Sequence, residues 1–258
     1  VRGLFEAGAW RCGPGIALLL FCALGLFVPA ALLDPLHPLS PPGLAHPAGT
    51  DALGRDEMIR LMQGGAQTVI IAIPASILAV LLGTAYGLAA GLVPPAAGRW
   101  LARLLDALLA LPSLVVMMCG AALLPSGAWP LAALIGVAAW PPLARQVRAE
   151  MVALRQRDFV LAARQLGGGT FHIARAHLLP NMAGLLAVNA TFLVGDAILG
   201  LSALSFLGLG VPPPAASWGD MLQTGLGLAD AGAWWLILPP GMLIVASLGA
   251  VAAVAKRS

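Results

Sequence analysis

Hydrophobic positions along this chain come in long runs rather than in alternation. Nearly uncharged stretches occupy 13–33, 67–93, 104–124, 129–143, 182–209 and 233–255. About 20 helical residues cross a hydrocarbon core of ~30 Å, so the pattern predicts six transmembrane helices. The fourth run is short unless Pro141 and Pro142 carry it, kinked, into the polar segment that follows. A transmembrane barrel would show alternating segments of about ten residues, and the sequence has none. The expected fold class is therefore an all-α membrane protein built as one transmembrane domain over 1–258.

Polar residues gather in three connecting segments, 34–66, 144–180 and 210–232. In the first, Pro35, Pro38, Pro41, Pro42 and Pro47 argue for an extended loop. Arg55–Gln63 after it predicts a short interfacial helix, with Met58, Leu61 and Met62 toward lipid or protein. In the second, Asp158 is the expected N-cap of a short helix carrying Phe159, Val160, Ala162, Ala163 and Leu166. Gly167 fits the left-handed position that ends such a helix. Thr170 is expected to cap a second helix reaching Leu179, which Pro180 stops. Small side chains at Ala162 and Ala163 let another backbone come close. Taken alone, these residues leave two readings open: a surface resting on anionic headgroups through Arg145, Arg148, Arg155 and Arg157, or a docking site for a partner.

Charge sets the orientation. With six spans, Arg2, Arg11, Arg99, Arg103, the six arginines of 144–180, Lys256 and Arg257 share one side, leaving Arg55 and Arg60 on the other. The positive-inside rule then predicts cytoplasmic termini, with 34–66 and 210–232 external and 144–180 cytoplasmic. Val28-Pro29-Ala30 loosely resembles a processing site, but removing the first span would undo this charge count, so the span is expected to stay. The chain is 60% hydrophobic and 10% charged, with a mean hydropathy of +0.92. No water-soluble core of this size requires that.

Several chemistries are excluded. The one lysine, Lys256, precedes arginine at the terminus, so a phosphate-binding loop with Lys-Ser/Thr cannot form. G-x-S-x-G and H-E-x-x-H are absent, and no enzyme activity is expected of this chain. Cys12, Cys22 and Cys119 are scattered and read as small packing residues. His37, His46, His172 and His177 form no ligand cluster; the last two, five apart, share a helix face poorly. No metal site is expected, and no nucleic-acid partner. Asp196 is the only acid deep in a predicted span. Three readings of it stay open: a residue of a translocation path, an interhelical hydrogen-bonding group helped by Asn189 and Thr191, or a protonated and tolerated acid.

The segment Ala162-Ala163-x3-Gly167-x9-His177-x-Leu179-Pro180 resembles the EAA loop of bacterial ABC-importer permeases. Four further segments resemble the peptide/nickel branch of that family and follow its order. They are Gly49-Thr50-Asp51-Ala52-Leu53-Gly54-Arg55-Asp56, Asp106 with Leu111-Pro112, Leu204-Ser205-Phe206-Leu207-Gly208-Leu209-Gly210, and Pro212-Pro213 followed by Ser217-Trp218-Gly219-x-Met221-Leu222. The chain is similar to the second, C-type permease of such importers. The resemblance implies the type I importer permease fold in the bacterial cytoplasmic (inner) membrane. It implies a second permease subunit, two cytoplasmic ATPases that carry ATP and Mg, and a periplasmic or lipid-anchored binding protein, with no cofactor in this chain. Asp158, Ala162, Ala163, Leu166, Gly167, Gly168 and Pro180 would couple to an ATPase. Thr50, Asp51, Arg55 and Asp56 would touch the binding protein or, the favoured reading, anchor one another.

Departures matter for cargo. Leu161 replaces the EAA glutamate, Leu201 a membrane glutamate frequent in the family, and Leu248–Ala253 a charged terminal tail. Leu154–Ala162 looks closest to nickel-type permeases, which tips the expected cargo slightly toward nickel or a metal chelate. The alternative is dipeptide or oligopeptide import. An ATP-independent secondary transporter is more distant, because no inverted repeat is found. An intramembrane enzyme would need a partner for Asp196 that the sequence does not supply.

Overall fold

A computed structural model describes residues 18, 20–27 and 37–256. Among them all regular structure is helical, apart from an isolated bridge between Thr50 and Asp56. The expected first span lies mostly outside the described residues. Helix α1, Glu57–Leu92, begins well before the apolar run at 67, so the separate interfacial helix expected at Arg55–Gln63 is instead its first turns. Asp56 caps it, accepting from the Ile59 amide at 3.2 Å. At 36 residues it is about 54 Å long, more than a bilayer core needs.

The expected third span is broken. Helices α2, Pro95–Leu109, and α3, Ser113–Leu123, meet at 79° around Pro112. Proline lacks an amide and forces its predecessor out of the helical region, so the ladder stops there. Helix α4, Ala128–Leu154, runs unbroken through Pro141 and Pro142 into what the sequence assigned to the loop.

Helices α1 and α4 pack side by side and parallel. A Cβ at Gly83 would lie 3.0 Å from Leu143, one at Gly87 2.6 Å from Val147, and one at Gly91 2.8 Å from Met151. The glycine repeat of four thus lets the backbones approach at three successive turns, the membrane form of close packing. Helix α8, Ala183–Phe206, returns across this pair, burying Ala197, Ile198, Leu201 and Leu204 against Ile71, Met117 and Ile135. Helix α10, Leu238–Ala255, packs beside it near Gly195. Pro239 and Pro240 occupy its first turn, where missing amides cost little, rather than a kink inside a span.

Among the described residues three helices are long and apolar enough to cross a membrane, α1, α8 and Trp234–Ala255, and the bent α2–α3 pair is a fourth if it counts as one span. Helix α4 has the length, but its second half carries Arg145, Arg148 and Glu150. The remaining loops fall into two groups at opposite ends of the bundle. Residues 37–57 meet the 207–237 region, where helix α9, Trp218–Leu226, stands in a segment expected to be loop. The segment 155–182 lies at the other end.

Candidate functional site: a capped helix hairpin at one end and an ionic knot at the other

At the end of α4 the chain turns into α5, Asp158–Gln165. Asp158 is its first residue and not its cap. Arg157 takes the cap position without a side-chain bond, because the chain is extended one residue earlier than the polarity suggested. The acid still favours the positive end of the helix dipole. Val160 is fully buried with Leu154, Ile173, Leu178 and Met182, which fixes the roll of the helix. Phe159, Leu161, Ala162, Arg164 and Leu166 are left exposed, and Ala163 half-buried.

The C-terminal end closes on a Schellman motif. Gly167 has φ +85°, its amide donates to the Arg164 carbonyl at 3.0 Å, and the Gly168 amide donates to the Ala163 carbonyl at 2.9 Å. Leu166 is the last residue before the turn and is 89% exposed. A Cβ on Gly167 would meet nothing within 4 Å, whereas one on Gly168 would lie 2.7 Å from the Ala163 carbonyl oxygen. One glycine serves the backbone angle and the other the close approach.

The second half of the hairpin departs from expectation. Gly169, not Thr170, holds the cap position of α6, Thr170–Ile173, and Pro180 does not end the helix. A π turn, Ala174–Leu178, leads into α7, Leu179–Asn181, with Pro180 inside it. Widening the turn just ahead of proline relieves the clash of its ring with the preceding carbonyls. Asn181 donates from Nδ2 to the His177 carbonyl at 2.6 Å. The wider turn also brings residues five apart onto one face, so the His172 and His177 rings sit edge-on at 6.0 Å, and Phe159 lies 6.4 Å from His177. The expectation that these histidines would not share a face is corrected. Among the described residues no group of three or more potential ligands could hold a metal.

The arginines expected at headgroups are partly engaged. Arg145 donates to Asp106 at 2.7 Å, tying α4 to α2, and Arg155 donates to the Gly91 carbonyl.

At the opposite end, Thr50, Asp51, Arg55 and Asp56 bind one another and their own loop. Asp51 accepts from the Leu53 and Arg55 amides at 2.9 Å and from Arg55 Nε at 2.6 Å. Thr50 donates to the His37 carbonyl at 2.7 Å, and Asp56 pairs with His46 at 2.8 Å. The hub is a residue the sequence reading passed over. Arg60, 6% exposed, lies 3.2 Å from Asp51, 3.7 Å from Asp220 and 3.9 Å from Glu57. Two indole donors bind the loops together: Trp218 to the Leu61 carbonyl at 2.9 Å and Trp235 to the Thr50 carbonyl at 3.2 Å. Asp51, Asp56 and Glu57 just ahead of Arg60 were the available signal; Asp220, far away in sequence, gave none.

Asp196 lies on an exposed face of α8. It makes no hydrogen bond or ion pair among the described residues. Asn189 donates instead to Gln146 at 2.9 Å and to the Leu185 carbonyl, and Thr191 to the Ala187 carbonyl. Of the three readings left open for Asp196, the hydrogen-bonding group helped by Asn189 and Thr191 is not formed among the described residues.

A membrane helical bundle with an exposed, tightly capped hairpin at one end is the setting in which residues 79–257 match the family of binding-protein-dependent transport system inner membrane components. The chain belongs to this family. It is 40% identical over 215 residues to a putative peptide permease of Brucella suis, covering 81% of this chain and 70% of that protein. A di/tripeptide permease of Pseudomonas aeruginosa is 36% identical over 246 residues, covering 91% of this chain and 80% of that protein. An oligopeptide permease of Bacillus subtilis is 32% identical over 240 residues, covering 91% and 79%. As a family member the chain is a permease component of an ABC importer, in a family of transporter membrane components rather than of enzymes.

Proposed function

We propose that this chain is the C-type permease of an ATP-driven peptide importer in a bacterial inner membrane. The relatives named above are peptide permeases, so the slight lean toward nickel is not carried forward. In this reading the chain crosses the membrane six times with both termini cytoplasmic. It pairs with a second permease, two ATPases that bind ATP and Mg, and a binding protein that delivers cargo from outside.

The observation that carries the reading is the 158–168 element. A short helix exposes Phe159, Leu161 and Leu166 while one buried valine and a Schellman turn hold it to the end of α4. Exposed apolar side chains on a fixed helix suit insertion into a protein cleft better than a headgroup layer, which would favour the arginines. ATP closure would push this helix and hence α4. Asp158, Ala162, Ala163, Leu166, Gly167, Gly168 and Pro180 form or shape the contact. Thr50, Asp51, Arg55 and Asp56 stabilise the external loop, because their polar atoms are spent within it, on one another and on His37, His46 and Ile59.

The test is uptake by proteoliposomes holding the assembled importer. Labelled di- and tripeptides should enter only with ATP and binding protein, and a nickel chelate should not compete. Uptake by this chain alone without ATP would instead identify a secondary transporter.

A further inference from the structure

Helix α8 is apolar except near its middle. Its faces are assigned by what they touch. Gly195 lies against Leu248 and Val251 of α10, while Ala197, Ile198, Leu201 and Leu204 are buried against α1, α3 and α4. The remaining stripe, with Phe192, Asp196 and Leu199, is exposed. An ionisable group at such a depth needs a counterpart or water, and nothing described in this chain supplies one to Asp196.

The same stripe continues toward the hairpin end. Asn189 is seven residues before Asp196, about 10 Å along the helix and within about 20° of the same direction. It bonds to Gln146 of α4, whose neighbour Arg145 pairs with Asp106 of α2. Gln146, Arg145 and Asp106 are all exposed. Asn189 and its partner Gln146 therefore continue the exposed stripe of Asp196 toward the hairpin end, and the Arg145–Asp106 pair stands next to them along α4. Asn189, Gln146, Arg145 and Asp106 satisfy each other in pairs. Asp196 is the member with no partner.

We propose that the exposed stripe of α8 carrying Asn189 and Asp196 lines the cargo passage of the assembled importer, and that Asp196 reads the charge of the cargo there, attracting ammonium groups, whether a free peptide N-terminus or a lysine side chain. The inference rests on the peptide-importer reading and adds to it the residue that favours positive over negative cargo. Charge complementarity selects the occupant: a carboxylate in a site of low dielectric attracts a cation far more strongly than it does in water, and repels a carboxylate equally. A neutral peptide would thereby travel with its amino end nearer Asp196 than its carboxyl end.

The experiment uses the complete importer in proteoliposomes, with ATP and saturating loaded binding protein. Turnover is measured for Ala-Lys-Ala, Ala-Ala-Ala and Ala-Glu-Ala. Wild type should move the lysine peptide fastest and the glutamate peptide slowest. Asp196→Asn should slow the lysine peptide about tenfold, which corresponds to about 1.4 kcal/mol, and should not slow the glutamate peptide. Asp196→Glu should restore the order. Equal slowing of all three peptides by Asp196→Asn would overturn the inference. So would a lowered melting temperature of the complex with no change in cargo order, which would assign Asp196 to an ion pair with the second permease. Wild-type complex that hydrolyses ATP on docking but moves none of the three peptides would remove the peptide reading, and this inference with it.

Discussion

Gly167 shows how much one position can decide. Its φ of +85° with open space around its missing Cβ means that the backbone angle alone restricts the residue. Gly167→Val should insert normally yet transport fewer molecules per ATP, since a β-branched residue there costs about 1–2 kcal/mol of strain. Gly167→Asn should stay near wild type, because Asn tolerates the left-handed region. Equal transport-to-ATP ratios for the two variants in reconstituted complex would show that this glycine does not aim the helix. The turn was legible because a glycine after a short apolar run has a local cause. Local signals were also where the reading slipped by one residue: Asp158 and Thr170 have capping chemistry but stand just inside their helices. Arg60 was not legible as a hub, since its contact with Asp220 exists only once the two loops have met.

Among the elements, the apolar runs located the long helices of the described residues but not their ends. Run length reports where charges begin, and α4 continues past that point because its charged half is bonded to α2 and to the end of α1. Pro-Pro within it reads as a kink that could carry the run onward and Pro180 beyond it as a stop; the helix does run on through the first, and a π turn leads the chain through the second. The parallel α1–α4 pair was invisible to hydropathy, since glycine spacing tells which faces can touch and not which helices do. Gly87→Ala should lower the melting temperature of the detergent-solubilised protein, with an overpacking cost of about 1–3 kcal/mol. Gly184→Ala, where a Cβ meets nothing within 4 Å, should be neutral or slightly stabilising. Equal melting temperatures for the two variants would mean that α1 and α4 are not in the close contact described.

For the molecule as a whole, the exposed apolar side chains on α3, Leu114, Val115 and Leu123, need a cover if the chain works in a pair of permeases. Cys119 stands exposed on that helix while Cys22 is buried. In a Cys12→Ser background, a maleimide should label Cys119 of the solubilised chain and spare Cys22. Assembly with the second permease should slow that labelling about tenfold, and unchanged labelling would place the interface elsewhere. The glycine contacts between α1 and α4 carry a mechanical consequence. Two helices joined at three successive turns bend as one beam, stiffer than either alone. One end of that beam is Leu154, where the hairpin begins; toward the other lie Arg60 and the loop it ties to α9. A nudge at the hairpin would therefore travel toward the far mouth as a tilt of the joined pair, its stroke shared by two helices instead of bending one.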